Sequence, residues 1–533
     1  MTMKISNFPW PRLLSLLAAF YFLSVLLNLD YPTHQFLSAW LLLPSPDVWL
    51  LFGILALAAY GGKRTLAWTG WTLTALYLVL RAFRLGDVAV PMYLNRPFNL
   101  YVDSTYLLSI YDLLKTGSRQ KDFLLMAAMV PVFVVGVIAA SLYAWRLAAR
   151  ALGDFRVRSV FLGGSGLLLA MAVLWGWSVR PSAVIRLGQE LSRVPRQIEE
   201  ERAFALRLKE VEKQRAALPS TLKGLAGADV LLFFVESYGR TVFTNPQYRP
   251  AMTAILDRFA QTLNQHGFLA VSNYLVSPTF GGISRLAHAT LESGVRVSND
   301  LEDAALLRSS LPPLAAYFRA NGYRTVSVMP GTRFAFPQGA YFDYDQAYYA
   351  EQFDYRGPTF GWAPMPDQFV LDWVRRREFT VREKPLFVRY VLISSHAAFN
   401  FQPPFIPDWE RIGDGHIYLD QPPIYFPIEW PNLENAGEAY LHSLDYEFKS
   451  LGDYLAKFVS ADALIIILGD HQPNPQLTEE NEPWSVPVHV ISPNPRLLEP
   501  FRKRGYTPGL IPDQPLPHAG MERFMPDFLQ DFR

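Results

Sequence analysis

Five stretches without a charged side chain, residues 13–29, 48–62, 65–80, 123–145 and 160–179, crowd the first third of the chain. A folded domain in water has little room for so many long apolar segments, so each is read as a membrane span. A bilayer core takes about 20 helical residues. The second and third runs are short by that measure and need Pro44 to Asp47 or Arg81 to Arg84 near the interface. The first run is not followed by the small-residue site of a cleaved leader, and further apolar runs come after it, so it too is read as a span.

Loop charge orients these spans. Lys4 and Arg12 precede the first, Lys63 and Arg64 separate the second from the third, and Arg146, Arg150, Arg156 and Arg158 separate the fourth from the fifth. Those loops are assigned to the cytoplasm, and an odd number of spans places the rest of the chain outside. The loop from Arg81 to Asp122 mixes six basic with four acidic residues and obeys the rule less well. Its Leu100, Tyr101, Tyr106, Leu107, Leu108, Tyr111 and Leu114 recur at mixed helical spacing, which fits either a helix lying in the interface or a packed loop. The region 195–219 is rich in Glu, Arg and Lys with a thin apolar stripe of Ile198, Ala205, Leu208 and Val211, and is read as a solvated connecting helix. The expected division is 1–180 in the membrane, 181–227 as linker and 228–533 as an outer domain.

In the outer domain, short apolar runs at 230–235, 268–271, 324–328, 386–393, 464–468 and 486–491 alternate with helical patterns at 252–266, 311–321, 368–377 and 438–458. Alternation of this kind indicates α/β layering, and runs apolar on both faces indicate a mainly parallel sheet covered by helices. Three runs end in ionisable or hydroxyl groups: Glu236-Ser237, Ser394-Ser395-His396 and Gly469-Asp470-His471. The carboxyl edge of such a sheet is where ligand sites form. Gly281-Gly282-Ile283-Ser284 leads into a further helical pattern, where Ser284 is either a helix N-cap or a nucleophile beside amide donors. His288 would lie on the same helix face as Ser284 and is a secondary candidate, whereas His489, within a strand, is read as structural. The 49 basic and 48 acidic side chains argue against a nucleic-acid binder, and the absence of Cys removes thiolate ligands and thiol nucleophiles.

These motifs together resemble the alkaline phosphatase superfamily, in its membrane-bound sulfatase-like branch of lipoteichoic acid synthases and phosphoethanolamine or phosphoglycerol transferases. The resemblance rests on the N-terminal spans, Val235-Glu236-Ser237, Gly282-Ile283-Ser284, Ser395-His396, the helix with Leu444-Asp445-Tyr446, Gly469-Asp470-His471 and Val486-Pro487-Val488. It implies Glu236, Ser284, Asp470 and His471 as metal ligands, Ser284 as nucleophile and His396 as a substrate-contacting or leaving-group histidine. The transferases usually carry Thr at the position of Ser284. Their histidine-bearing segment reads here Met329-Pro330-Gly331-Thr332-Arg333, which puts Arg333 or Gln338 forward as a substrate contact. The C/S-x-P-x-R signature of true sulfatases is missing, since Ser284 is followed by Arg285-Leu286-Ala287-His288.

Three oxygens and one imidazole suit a divalent ion such as Zn, Mn or Mg, which would stabilise a serine alkoxide and polarise a phosphoryl oxygen. The expected activity is transfer of a phosphoglycerol or phosphoethanolamine head group from a membrane phospholipid to an envelope glycan or lipid, through phosphoserine, at the outer side of a bacterial inner membrane. A phosphate or sulfate ester hydrolase with the same site, and a non-catalytic envelope-polymer or partner-binding protein, are the alternatives.

Overall fold

The computed structural model describes residues 8–29, 44–105, 120–175, 182–215, 221–332, 337–380, 382–428, 432–460 and 462–533. Arg333, most of the amphipathic stretch 100–114 and the end of the run 160–179 lie outside them. The chain divides into two units, one of residues 1–91 and 96–197, the other of residues 92–95 and 198–533.

The first unit is helical: Trp10–Asn28, Pro46–Ala58, Gly62–Leu94, Gln120–Leu152 and Phe155–Trp175. Leu16, Leu23, Phe52, Leu55, Tyr77 and Trp145 meet in its core. The Asp47 carboxylate accepts the Ala183 amide at 2.8 Å and the Val184 amide at 3.2 Å, meeting the bare donors at the start of the helix Ala183–Arg215. Among the described residues two helices, not five, are long and apolar enough to cross a membrane: Trp10–Asn28 and Ala127–Leu152. The run at 48–62 gives a helix of only 13 residues, about 20 Å against a bilayer core of about 30 Å. The run at 65–80 is absorbed into a 33-residue helix that also carries Lys63, Arg64, Arg81, Arg84 and Asp87. Val132 and Phe133 on the Ala127–Leu152 helix are 73% and 70% exposed, an apolar surface suited to lipid rather than water.

The linker helix begins earlier than its charge pattern suggests, at Ala183, and includes Pro195. Its second half is not simply solvated: Phe204 and Leu208 are buried with Val295, Val297, Leu306 and Leu311 in a cluster of the second unit. Two large side chains on one face outweigh the charged residues around them.

The second unit is a mixed α/β domain built on a nine-stranded sheet. Its strands are β1 Val230–Val235, β2 Leu269–Val276, β3 Arg324–Met329, β4 Gln346–Tyr349, β5 Leu386–Leu392, β6 Leu464–Gly469, β7 Ser485–Ser492, β8 Thr507–Pro508 and β9 Ala519–Gly520. The order is β8-β2-β7-β6-β1-β5-β3-β4, with β9 beside β2. The five strands β6-β1-β5-β3-β4 are mutually parallel, and β7 reverses direction against β6. Every residue of β1, β5 and β6 is buried, as expected of strands covered on both faces; β1 and β6 carry no charged side chain, and in β5 Arg389 alone interrupts the apolar run. One core lies on each face: Phe233, Tyr390 and Ile467 belong to one, Phe234, Phe387 and Leu468 to the other.

Register positions the site. Val235 at the end of β1 is level with Leu392 of β5 and with Gly469 of β6. Glu236, the turn after β5 and Asp470 therefore emerge side by side at the carboxyl edge. Gly469 is needed there, because a Cβ on it would stand 1.8 Å from the Tyr238 carbonyl oxygen.

Candidate metal and nucleophile centre

Glu236, Asp470 and His471 are all buried, and one ligand atom from each lies within 4.8 Å of the others. The Asp470 Oδ1 atom accepts the amides of Ser237 at 2.8 Å and of His471 at 2.7 Å, so this carboxylate is held by the two turns it connects. His471 Nδ1 faces the Gln472 carbonyl oxygen at 2.7 Å, which leaves Nε2 directed at the cluster, 3.2 Å from Glu236 Oε1.

Ser284 completes the group. Its hydroxyl donates to Glu236 Oε2 at 3.0 Å and lies 3.1 Å from His471 Nε2. It is the first residue of the helix Ser284–Ser293 rather than its N-cap, a place taken by Ile283. Ile283 adopts φ 61°, a left-handed conformation that a β-branched side chain strongly disfavours. Ser237, after Glu236, has φ 60°. Strain of this kind is retained where the surrounding structure imposes it, and here both residues flank the cluster. The rival hydroxyls are engaged elsewhere: Thr279 donates to the Gly282 carbonyl at 2.6 Å and Ser277 to the Asp470 carbonyl at 2.7 Å.

The electrostatics mark the cluster as built for positive charge. Burial and the Glu236 carboxylate push Asp470 up to about 8. Burial disfavours the His471 imidazolium, but Asp470 and Glu236 outweigh it and raise the group to about 9. Burial also works against ionisation of Glu236, yet His471 beside it brings this carboxyl net below the usual range. Two carboxylates that close in a dry site need a compensating cation. Three oxygens and one imidazole at this spacing fit a divalent ion held about 2 Å from each ligand.

His396 stands apart from the four donors. It follows β5, is exposed, keeps Nδ1 2.5 Å from the Ala397 carbonyl oxygen, and has its ring 6.3 Å from that of Trp362. Its turn is tied to the end of β1, where the neighbouring Ser395 hydroxyl donates to the Glu236 carbonyl at 2.7 Å. His489 is structural, buried between the Ser272 hydroxyl at 2.7 Å and the Tyr238 hydroxyl at 3.0 Å.

A cavity of about 270 Å³ opens beside Ser284 and Glu236 and runs past His288, Phe342, Tyr344 and Arg389. Arg389 (2% exposed) and Glu292 (0%) pair at 2.5 Å. The Tyr344 hydroxyl donates to the second Glu292 oxygen at 2.5 Å, and Arg389 donates to the Ser327 hydroxyl at 2.6 Å. The Arg389 guanidinium lies 5.3 Å from the centre of the Phe342 ring and 5.2 Å from that of Tyr344. This pair was not among the residues singled out in the sequence. The available signal was Arg389 itself, a lone charge inside the apolar run 386–393.

No family model and no curated protein matches the chain. Solved structures that match include the lipoteichoic acid synthase LtaP from Listeria monocytogenes, at 14% identity and TM-score 0.37 over 57% of this chain and 72% of that one. Others are the phosphoglycerol transferase GacH of Streptococcus pyogenes, at 11% identity and TM-score 0.35 over 62% and 91%, and the periplasmic domain of phosphoethanolamine transferase EptC from Campylobacter jejuni, at 9% and 0.35 over 52% and 83%. These are the enzyme types that the sequence motifs resemble.

Proposed function

We propose that this protein is a metal-dependent enzyme of the membrane sulfatase-like branch of the alkaline phosphatase superfamily, transferring a phosphorylated head group from a membrane phospholipid to an envelope glycan or lipid. The observation that carries the reading is Ser284, which follows the strained Ile283 and holds its hydroxyl 3.0 Å from Glu236 and 3.1 Å from His471 at a helix start. Glu236, Ser284, Asp470 and His471 would hold one divalent ion, which supplies alkoxide stabilisation and polarisation of a phosphoryl oxygen when bound.

The Ser284 hydroxyl gives up its proton to solvent as its oxygen bonds to phosphorus, the bond from phosphorus to the diacylglycerol oxygen breaks, and the released alkoxide takes up a proton. His396 would give that proton and, in the second step, accept one from the incoming hydroxyl as the bond from phosphorus to the Ser284 oxygen breaks. The helix Ser284–Ser293 directs its free amides and partial positive charge toward the transferred group.

The cavity favours an uncharged, hydroxyl-bearing head group. Of the two carboxylates that line it, Glu236 belongs to the proposed ligand set and Asp303 pairs with Arg285 at 2.8 Å, while the lining Arg389 is held by Glu292. The faces of Phe342 and Tyr344 are covered by the Arg389 guanidinium, so an incoming ammonium would meet like charge rather than a free aromatic face. Glycerol carries no charge to compensate. Phosphatidylglycerol should therefore load Ser284 at least about tenfold faster than phosphatidylethanolamine does, because a buried ammonium without a partner is costly. Mass spectrometry of the Ser284 peptide after incubation with each lipid reads this directly. A phosphoglycerol increment is expected; equal or greater loading from phosphatidylethanolamine overturns the head-group assignment, and discharge to water alone would make the enzyme a hydrolase.

The helical unit would sit in a bacterial inner membrane by way of several spans, with the α/β unit on the outer side. A C-terminal alkaline phosphatase fusion should be active and a C-terminal green fluorescent protein fusion exported by the general secretory route should be dark. The reverse result excludes an envelope role.

A further inference from the structure

Behind the turn that carries His396 lie two carboxyl groups with no water around them. Asp367, at the start of the helix Asp367–Val374, and Glu447, within the helix Gly437–Phe458, are each 0% exposed. Asp367 Oδ2 accepts the amides of Ile393 at 2.7 Å and Ser394 at 2.5 Å, and the Asp367 amide donates back to the Ser394 hydroxyl at 3.1 Å. The remaining Asp367 oxygen and both Glu447 oxygens make no well-aligned hydrogen bond to a donor among the described residues, although the Ser394 and Ser395 amides lie near enough to Glu447 to act on its charge. The two side chains are in hydrogen-bonding contact with each other. Two carboxylates cannot share a dry contact when both are ionised, so one of them must carry a proton.

We propose that Asp367 and Glu447 share a single proton as an acid–carboxylate pair that fixes the turn from Ile393 to His396, and that they act as positioning residues for His396. The proton belongs on Glu447. Asp367 accepts two amides at 2.7 and 2.5 Å, which favour its anion; the amides of Ser394 and Ser395 also act on Glu447, but more weakly than its burial and the adjacent Asp367 carboxylate, so Glu447 keeps the proton and donates it to the free Asp367 oxygen. Burial, reinforced by the Asp367 charge, accordingly raises Glu447 well above the usual carboxylate range. The other titratable neighbours are phenols: Tyr446, whose oxygen accepts the Gln368 amide at 3.3 Å, and Tyr418 beyond it, both raised by burial and so neutral. Beyond the pair, the Ser395 hydroxyl donates to the Glu236 carbonyl at 2.7 Å, so the same turn links His396 to the strand end that bears a proposed metal ligand.

The sign follows from the raised acid. The folded chain keeps a proton that the unfolded chain gives up near the ordinary Glu value, so the grip on the turn is present at low and neutral pH and is lost as pH rises through the pair's upper titration. The role of His396 in turnover rests on the function proposed above; the shared proton does not.

The test uses the full metal-loaded chain in detergent. Infrared spectra at neutral pH should show a protonated carboxyl C=O stretch that disappears in both Glu447→Gln and Asp367→Asn. Glu447→Gln should keep kcat on a phosphodiester within about threefold, because its amide donates to Asp367 as the acid did, and should move the alkaline loss of turnover to higher pH. Glu447→Ala should lower kcat more than KM changes, with metal content unaltered. Absence of the infrared band in the wild type, or a Gln variant no better than the Ala variant, overturns the pair. If the wild type turns over no phosphodiester at all, the infrared band still decides the proton, and only the proposed function fails.

Discussion

Ser284→Ala is expected to lower turnover by about 10⁴-fold or more and to abolish any phosphorylated intermediate, since removing the nucleophile of a covalent mechanism leaves only binding and electrostatic effects. Ser284→Thr should retain a measurable part of both. The hydroxyl stays at the helix start, and the added methyl has the cavity beside it. Thr279→Ala and Ser277→Ala form the comparison, because both hydroxyls are committed to backbone carbonyls. Each should leave the Ser284 peptide able to take up label, even where the turn is loosened. Labelling that survives in Ser284→Ala and vanishes in Thr279→Ala would transfer the nucleophile to Thr279. The measurement is mass spectrometry of the intact protein together with lipid turnover, so a variant that merely binds substrate poorly is told apart from one that lacks the attacking oxygen.

Asp470→Ala and His471→Ala should each lose the divalent ion, with affinity falling by more than the roughly 10- to 100-fold typical of residues that only support a ligand. Both side chains are 1% exposed, and each supplies one donor atom to the cluster within 4.8 Å that alanine cannot replace. Elemental analysis of the purified variants after dialysis gives the result without reference to activity. His396→Ala should keep its metal, because this ring stands outside the donor cluster. Full occupancy in the first two variants would remove them from the ligand set, and loss of metal in the third would add His396 to it.

The central strands were legible because their burial is two-sided. Residues 230–235 carry no polar side chain to interrupt the run, and β1 occupies those same six positions. β2 runs five residues beyond the expected end at Val271, since Ser272 and Asn273 break the apolar pattern while its antiparallel pairing with β7 continues to Val276. β4, only four residues long and half buried, had no pattern to reveal it. In the helical unit, apolar runs were readable but not the lengths of the helices that contain them. Where a helix stops depends on neighbours, so residues 48–62 became a short helix and 65–80 part of a long charged one.

Glu236, Ser284, Asp470 and His471 were each visible in the sequence as polar endings to apolar strands or as a hydroxyl after two glycines, because a strand that emerges from a core must change composition where it meets solvent or a ligand. The sequence thus determined which side chains stand at strand ends and which helix follows the glycines. Only the tertiary structure decided which ends are neighbours: parallel pairing of β6, β1 and β5 in one register brings Ser237, next to Glu236, within hydrogen-bonding distance of Asp470 although 233 positions separate them. It also decided the partners of buried charges. Nothing in the local pattern around Arg389, Glu292, Asp367 or Glu447 shows that the first two meet as an ion pair and the last two as a pair of acids, since each contact joins segments far apart in the chain and is fixed by how helices pack across the sheet.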